Sequence, residues 1–240
     1  MPANPITLDE AVDLTRTGDV WVFRGRTRAD RAIQVTTNSP VNHVGMALTI
    51  EDLPPLMWHA ELGRSLPDRW AGTRQRGVQL HDLRDAVTVW TGRYGQRAWL
   101  RQLEPPATGE MEDAALRVVA RLDGMPFPST AQLAGRWLRG RVPTRDRLLR
   151  RSGLRPSPDS TGPSPDSARP SPDSAGLSPD STGLESAYCA EVVALTYEEM
   201  GLLAAGERRP SWYDPGRFWS GDQLRLAAGF RLGDEIAVTM

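Results

Sequence analysis

The sequence predicts an α+β domain, a small antiparallel sheet with a cysteine-bearing helix packed on it, and three observations predict it. In NHVGMALTI, Val44, Met46, Leu48 and Ile50 alternate with His43, Gly45 and Ala47, which is the period of a half-buried strand. In TGEMEDAALRVVARLDG, Met111, Ala115, Val118, Val119 and Leu122 recur at helical spacing. Finally SAYCAEVVAL opens a third kind of segment, an apolar helical run holding the chain's single cysteine, Cys189.

The elements follow in order. Thr7 and Glu10 stand three apart as a capping box, so a short helix starts after Thr7 and ends before Gly18. Val20 to Phe23 reads as a strand, followed by the His43 strand. LMWHAE, after Pro54-Pro55, reads as the next strand, paired to it in a hairpin centred near Asp52. Gly77 to Leu83 and Ala86 to Thr91 read as two more strands. Thr108 caps the helix carrying Glu110 and Glu112 in its first turn, which closes near Gly124. Ser186 caps the Cys189 helix, which runs to Gly201, and two short strands lie between Leu224 and Val238. The sheet is expected to be curled or barrel-like.

Residues 154–184 interrupt this pattern. Ser-Pro-Asp-Ser recurs from Ser157, Ser164, Ser171 and Ser178 with a seven-residue period and almost no apolar side chains. Such a stretch cannot bury enough surface to offset the entropy of ordering it. It therefore reads as a disordered insert, with residues 1–153 and 185–240 as two parts of one domain.

Composition narrows the function. The formal net charge of -1 excludes a surface built throughout for nucleic acid. One cysteine excludes an internal disulfide and suits a reducing compartment. The N-terminus shows no export signal, and no run approaches the ~18 apolar residues of a membrane span, so the expected location is cytoplasmic. Eight arginines between Gly135 and Arg155 are the basic concentration, and Arg136, Arg139 and Arg141 are candidates for weak contact with an anionic membrane surface.

The chemistry rests on Cys189 and three histidines. A thiol attacks as thiolate, and a helix N-terminus or a nearby imidazole favours that form. Position near the start of its helix gives Cys189 the first. His43 begins a strand whose Gly45 leaves room for another element, such as the Cys189 helix, to come close. With a hairpin centred near Asp52, Glu61 lies opposite His43 and His59 lies on the diagonal, so either could orient the His43 ring. His81, beside Asp82 at a strand end, reads as surface. The histidines and the cysteine show none of the short ligand spacings of zinc sites, so no metal and no cofactor is expected.

GDVWVF at Gly18–Phe23, SPVNHVGM at Ser39–Met46, WHA at Trp58–Ala60 and YCAEVV at Tyr188–Val193 resemble, in that order, the signatures of the permuted papain-like enzymes related to the NlpC peptidases. The histidine strand precedes the cysteine helix, as in the YaeF/YiiX-type amidases and the lecithin retinol acyltransferase-like enzymes. DGMPFP at Asp123–Pro128 and DPGRFW at Asp214–Trp219 resemble that family's later segments. The resemblance implies a circularly permuted papain-like fold with Cys189 as nucleophile, His43 as general base and His59 in the third place. YiiX-like members often carry glutamate where His59 stands, so Glu61 is the alternative orienting residue. The implied activity is hydrolysis of an amide or related acyl bond in a small-molecule, peptide or acyl-amide substrate. The alternatives are an acyltransferase using the same thioester and a non-catalytic binding module.

Overall fold

In the computed structural model, residues 4–26, 31, 35, 39–61, 63–126, 188–205, 208–222 and 224–240 are described. The repeats, Ser186 and Arg136, Arg139 and Arg141 lie outside the described residues. The elements are β1 (Ile6–Thr7), α1 (Leu8–Leu14), β2 (Val20–Arg24), β3 (His43–Leu48), β4 (Leu56–Glu61), β5 (Gly77–Asp82), α2 (Leu83–Thr88), β6 (Arg97–Arg101), β7 (Leu103–Glu104), α3 (Gly109–Leu122), α4 (Cys189–Glu199), β8 (Arg231–Leu232) and β9 (Ile236–Thr239).

Seven strands form one sheet in the order β1-β9-β6-β2-β3-β4-β5, antiparallel except for the parallel pair β1 and β9. That order leaves two different end strands, so the sheet is open rather than barrel-like. The hairpin of β3 and β4 pairs Met46 with Trp58, Ala47 with Met57 and Leu48 with Leu56. Each pair of numbers is centred on 52, and Asp52 sits in the turn with a φ of 65°.

Local chemistry explains the helix boundaries. Thr7 Oγ1 accepts from the Glu10 N–H, while the Glu10 carboxylate accepts from the Thr7 N–H, so both halves of the capping box are present at α1. Thr108 accepts from the Met111 N–H at the start of α3. The segment expected as a strand at Ala86–Thr91 is instead α2 followed by a π-helical turn over Val89–Arg93. Asp82 decides it: its carboxylate accepts from the Asp85 N–H and caps the helix before the β-branched residues that suggested a strand.

The sheet is covered on both faces, so β3 is more than half buried. Val20, Val22, Val44, Met46, Trp58 and Val78 pack against α3 and α4. Trp21, Phe23, Ala47, Met57 and Leu100 pack against α1, α2 and Trp90. Polar ties fix α4 on its face. Trp58 Nε1–H donates to Thr196 Oγ1 at 3.0 Å, and the Tyr197 hydroxyl donates to the Gly18 carbonyl at 2.5 Å. No helix among the described residues is long and apolar enough to cross a membrane.

Gly45 has a different neighbour from the one expected. It lies on the face away from α4, and a Cβ there would meet Met57 Sδ at 2.4 Å and His59 Cβ at 3.3 Å. The missing side chain makes room for a buried cross-strand pair. Gly45→Ala is therefore expected to lower stability by ~1–3 kcal/mol through overpacking, read as a shift in the chemical denaturation midpoint.

Candidate functional site

Register builds the site. Met46 opposes Trp58 in one hairpin, and His59 opposes Gln79 in the next, so odd-numbered positions of β3, β4 and β5 share a face. That face carries His43, His59, Glu61, Gln79 and His81. His81, expected at the surface, is fully buried. It is buried because the outer edge of β5 is covered: Val78 exchanges backbone hydrogen bonds with Met125 and Gly124, while Leu80 bonds the Asp68 carboxylate and the Arg69 N–H.

The three rings form a continuous chain. His43 Nε2 lies 3.2 Å from His59 Nδ1, His59 Nε2 lies 3.1 Å from His81 Nδ1, and His81 Nε2 lies 3.1 Å from Gln79 Oε1. Trp90, from the π-helical turn, meets His43 and His59 edge-on at 4.9 and 4.8 Å between centroids. Such single π turns recur at functional sites. Burial holds the rings neutral. It lowers His43 and His81 to about 4 each and His59 well below its ordinary value, with neighbouring imidazoles adding to the effect on His43 and His59.

A chain of neutral imidazoles has a direction, and its end residue sets it. The Gln79 side chain turns Oε1 to the ring and leaves its buried Nε2 without a partner among the described residues; Oε1 only accepts, so with the amide in this orientation His81 carries its proton on Nε2 and offers Nδ1 as acceptor. His59 must then donate from Nε2 and accept at Nδ1, and His43 must donate from Nε2. The result is a lone pair on His43 Nδ1, the basic end of the relay. These tautomers are assigned from the partners each ring has.

Cys189 opens α4, with Tyr188 at the cap position. The N–H groups of Val44, Ala190 and Cys189 itself point at the sulfur. The same register would put Val44 opposite Ala60, but the pairing of β3 with β4 ends at Met46 and Trp58. The sulfur thus takes the Val44 N–H near the end of the hairpin ladder, one residue from His43. Among the described residues no hydrogen bond joins the thiol to the imidazole.

Cys189 is 5% exposed, and burial pushes its thiol up to about 11 despite the three N–H groups, with Asp214 adding to the rise. The sequence predicted the opposite direction from the helix start; desolvation outweighs the dipole here. At neutral pH both groups therefore rest uncharged: the Cys189 thiol lies on the sheet face that α4 covers, and the His43 ring lies on the other face, against Phe23 and Trp90.

Of the predicted residues, His43 and His59 meet directly. Glu61 joins them through His81, whose Nδ1 lies 3.9 Å from Glu61 Oε2. Sequence reasoning missed His81, Gln79 and Trp90. The available signal was GVQLHD, where Gln79 and His81 alternate with Val78 and Leu80 and so fall on one face.

No family model and no curated protein matches the chain. Among solved structures it is similar to the crystal structure of the metalloprotein YiiX from Escherichia coli O157:H7, at 16% identity over 91% of this chain and 96% of that one, with a TM-score of 0.47. A likeness of that strength carries no argument about chemistry.

The relay makes a spectroscopic prediction. Imidazole nitrogen shifts are expected to report His43, His59 and His81 all protonated on Nε2 at neutral pH, with His43 and His81 taking up a second proton only near pH 4. In Gln79→Leu the end acceptor is gone, and the single-tautomer pattern is expected to give way to a mixture.

Proposed function

We propose that this protein is a thiol hydrolase on a permuted papain-like scaffold, cleaving amide or related acyl bonds through a thioester on Cys189. The observation that carries this reading is the direction of the histidine chain. Among the described residues it makes the His43 Nδ1 lone pair the basic end of the chain, and His43 adjoins Val44, whose N–H points at the Cys189 sulfur from the face that α4 covers.

Because thiol and imidazole rest neutral, the proton moves when substrate is bound rather than before. The sulfur attacks the carbonyl carbon as His43 Nδ1 takes the thiol proton, and the carbonyl electron pair moves onto oxygen. N–H groups at the start of α4, including that of Cys189, would turn from the sulfur to that oxyanion. Collapse expels the amine, which takes the proton from His43 Nδ1, and a thioester remains. Water then attacks the thioester, His43 Nδ1 accepts its proton, and the thiolate leaves and is reprotonated from His43. His59 Nδ1 holds the ring by accepting from His43 Nε2–H, and no cofactor takes part in these steps.

Burial of the sulfur favours a second reading, a binding module on the same scaffold, and one experiment separates the two. The protein is incubated with a panel of activated acyl esters and acyl amides, with and without an added amine, and intact mass is followed. The expected result is one acyl adduct per chain, absent in Cys189→Ala and forming ~10²–10⁴-fold more slowly in His43→Ala. Acylation is expected to slow as pH falls through about 4, because His43 must be unprotonated to act. Release as free acid identifies a hydrolase, and capture by the amine identifies the acyl-transfer variant. No adduct from any acyl donor, or an adduct that forms as fast in His43→Ala, removes the proposed role.

A further inference from the structure

The hydrolase reading uses His43 and His59 but leaves the far end of the cluster unexplained. His59, Glu61 and His81 each present a ligand atom, and these atoms all lie within 4.8 Å of one another. Glu61 is 12% exposed in its side chain, and among the described residues its carboxylate is faced by the Ser65 hydroxyl, donating at 2.9 Å, by the Ser65 N–H and by the His81 ring at 3.9 Å, while Arg74 bonds the Ser65 carbonyl rather than the carboxylate. Positive charge bound directly at so enclosed a carboxylate would offset part of its desolvation cost.

We propose that His59 Nε2, His81 Nδ1 and Glu61 bind a divalent transition cation of the zinc type. Two imidazole nitrogens bound to one ion at ~2.0–2.1 Å stand ~2.9–3.3 Å apart, for octahedral to tetrahedral angles. The observed separation is 3.1 Å. Two histidines and a carboxylate are a borderline-soft donor set that suits such an ion better than calcium or magnesium. The outer partners are also in place. His81 Nε2 is held by Gln79 Oε1, His59 Nδ1 by His43 Nε2, and the Glu61 carboxylate by Ser65. Ligating histidines characteristically have their second nitrogen fixed in this way.

Occupancy reverses the relay, and this regulatory half rests on the hydrolase reading. The ion takes the Nε2 lone pair of His59, so the proton of that nitrogen must leave and Nδ1 becomes the protonated one. His59 Nδ1–H then donates to His43 Nε2. The proton formerly on His43 Nε2 has passed to His59, and the one displaced from His59 Nε2 reaches His43 Nδ1 through solvent. No proton is gained or lost overall. His43 Nδ1 becomes a donor and can no longer accept the thiol proton, so the cation acts as an inhibitor.

Cobalt(II) tests the site without reference to activity. The chelator-treated protein is titrated with cobalt, and visible d–d absorption is followed alongside Cys189 alkylation by iodoacetamide. A band saturating at one equivalent is expected, retained in Cys189→Ala and lost in Glu61→Gln and in His81→Ala, with thermal melts verifying that each variant is folded. In the wild-type protein the alkylation rate is expected to fall at least tenfold on saturation, and in Glu61→Gln not to respond to cobalt. Absence of the band, or a band that persists in folded Glu61→Gln and His81→Ala, overturns the site. A saturable band with unchanged alkylation overturns the reversal alone. Failure of the acyl-adduct experiment would instead leave the cobalt band intact, so the two proposals fail separately.

Discussion

Everything at the site depends on the register of β4 against its two neighbours. Met46 stands opposite Trp58 on one side, and His59 stands opposite Gln79 on the other. Side chains in a strand alternate with a period of two, so a slip of one residue would carry His59 and Glu61 to the face that packs on α4 and bring Trp58 and Ala60 to the histidine face. Both faces are buried, and the exchange would place a charged group against Val192 and Val193 while stranding the Trp58 N–H that now bonds Thr196. The apolar positions of β4 therefore specify the register, and the polar positions inherit their geometry from it. Met57 and Trp58, one on each face, hold it from both sides.

Enclosing three imidazoles is costly unless each polar nitrogen is answered. Gln79 is the economical solution, because one amide oxygen at the end satisfies His81 and thereby dictates the tautomer of His59 and of His43. A hydroxyl at that place could donate as well as accept, and the direction of the chain would no longer be unique. Trp90 and Phe23 enclose the open side of His43 with ring edges and faces, which lowers the local dielectric and keeps the rings uncharged. On the other face of the sheet the same physical effect, burial, raises the Cys189 thiol.

Much of this was legible in the sequence because the relevant rules are local. Thr7 and Glu10 specified a cap, LMWHAE specified β4 to the residue, and the turn at Asp52 specified the hairpin register and hence the relation of His43 to His59. What was illegible is set by contacts distant in sequence. His81 lies beside a charged residue at the end of an edge strand, and nothing local announces that the Asp68 loop and the Gly124–Met125 turn close over that edge. Ala86–Thr91 carries β-branched residues that favour a strand, yet Asp82 caps a helix and packing of Leu83, Ala86 and Val87 on the sheet overrides the propensity. The grouping of His59, Glu61 and His81 was hidden for the same reason: they are brought together across strands rather than along a helix turn.

The Cys189 sulfur shows how two opposing effects are ranked. A helix start and three N–H groups favour the thiolate, each by an amount typical of exposed or partly exposed termini, ~0.3–1 kcal/mol for the dipole. Removing a charge from water costs several kcal/mol, and at 5% exposure that cost dominates. The thiol therefore rests protonated. In the hydrolase proposed above, the same N–H groups would be released as the sulfur moved toward a carbonyl carbon and negative charge appeared on oxygen, and the low dielectric that keeps Cys189 neutral in the free protein would strengthen those contacts.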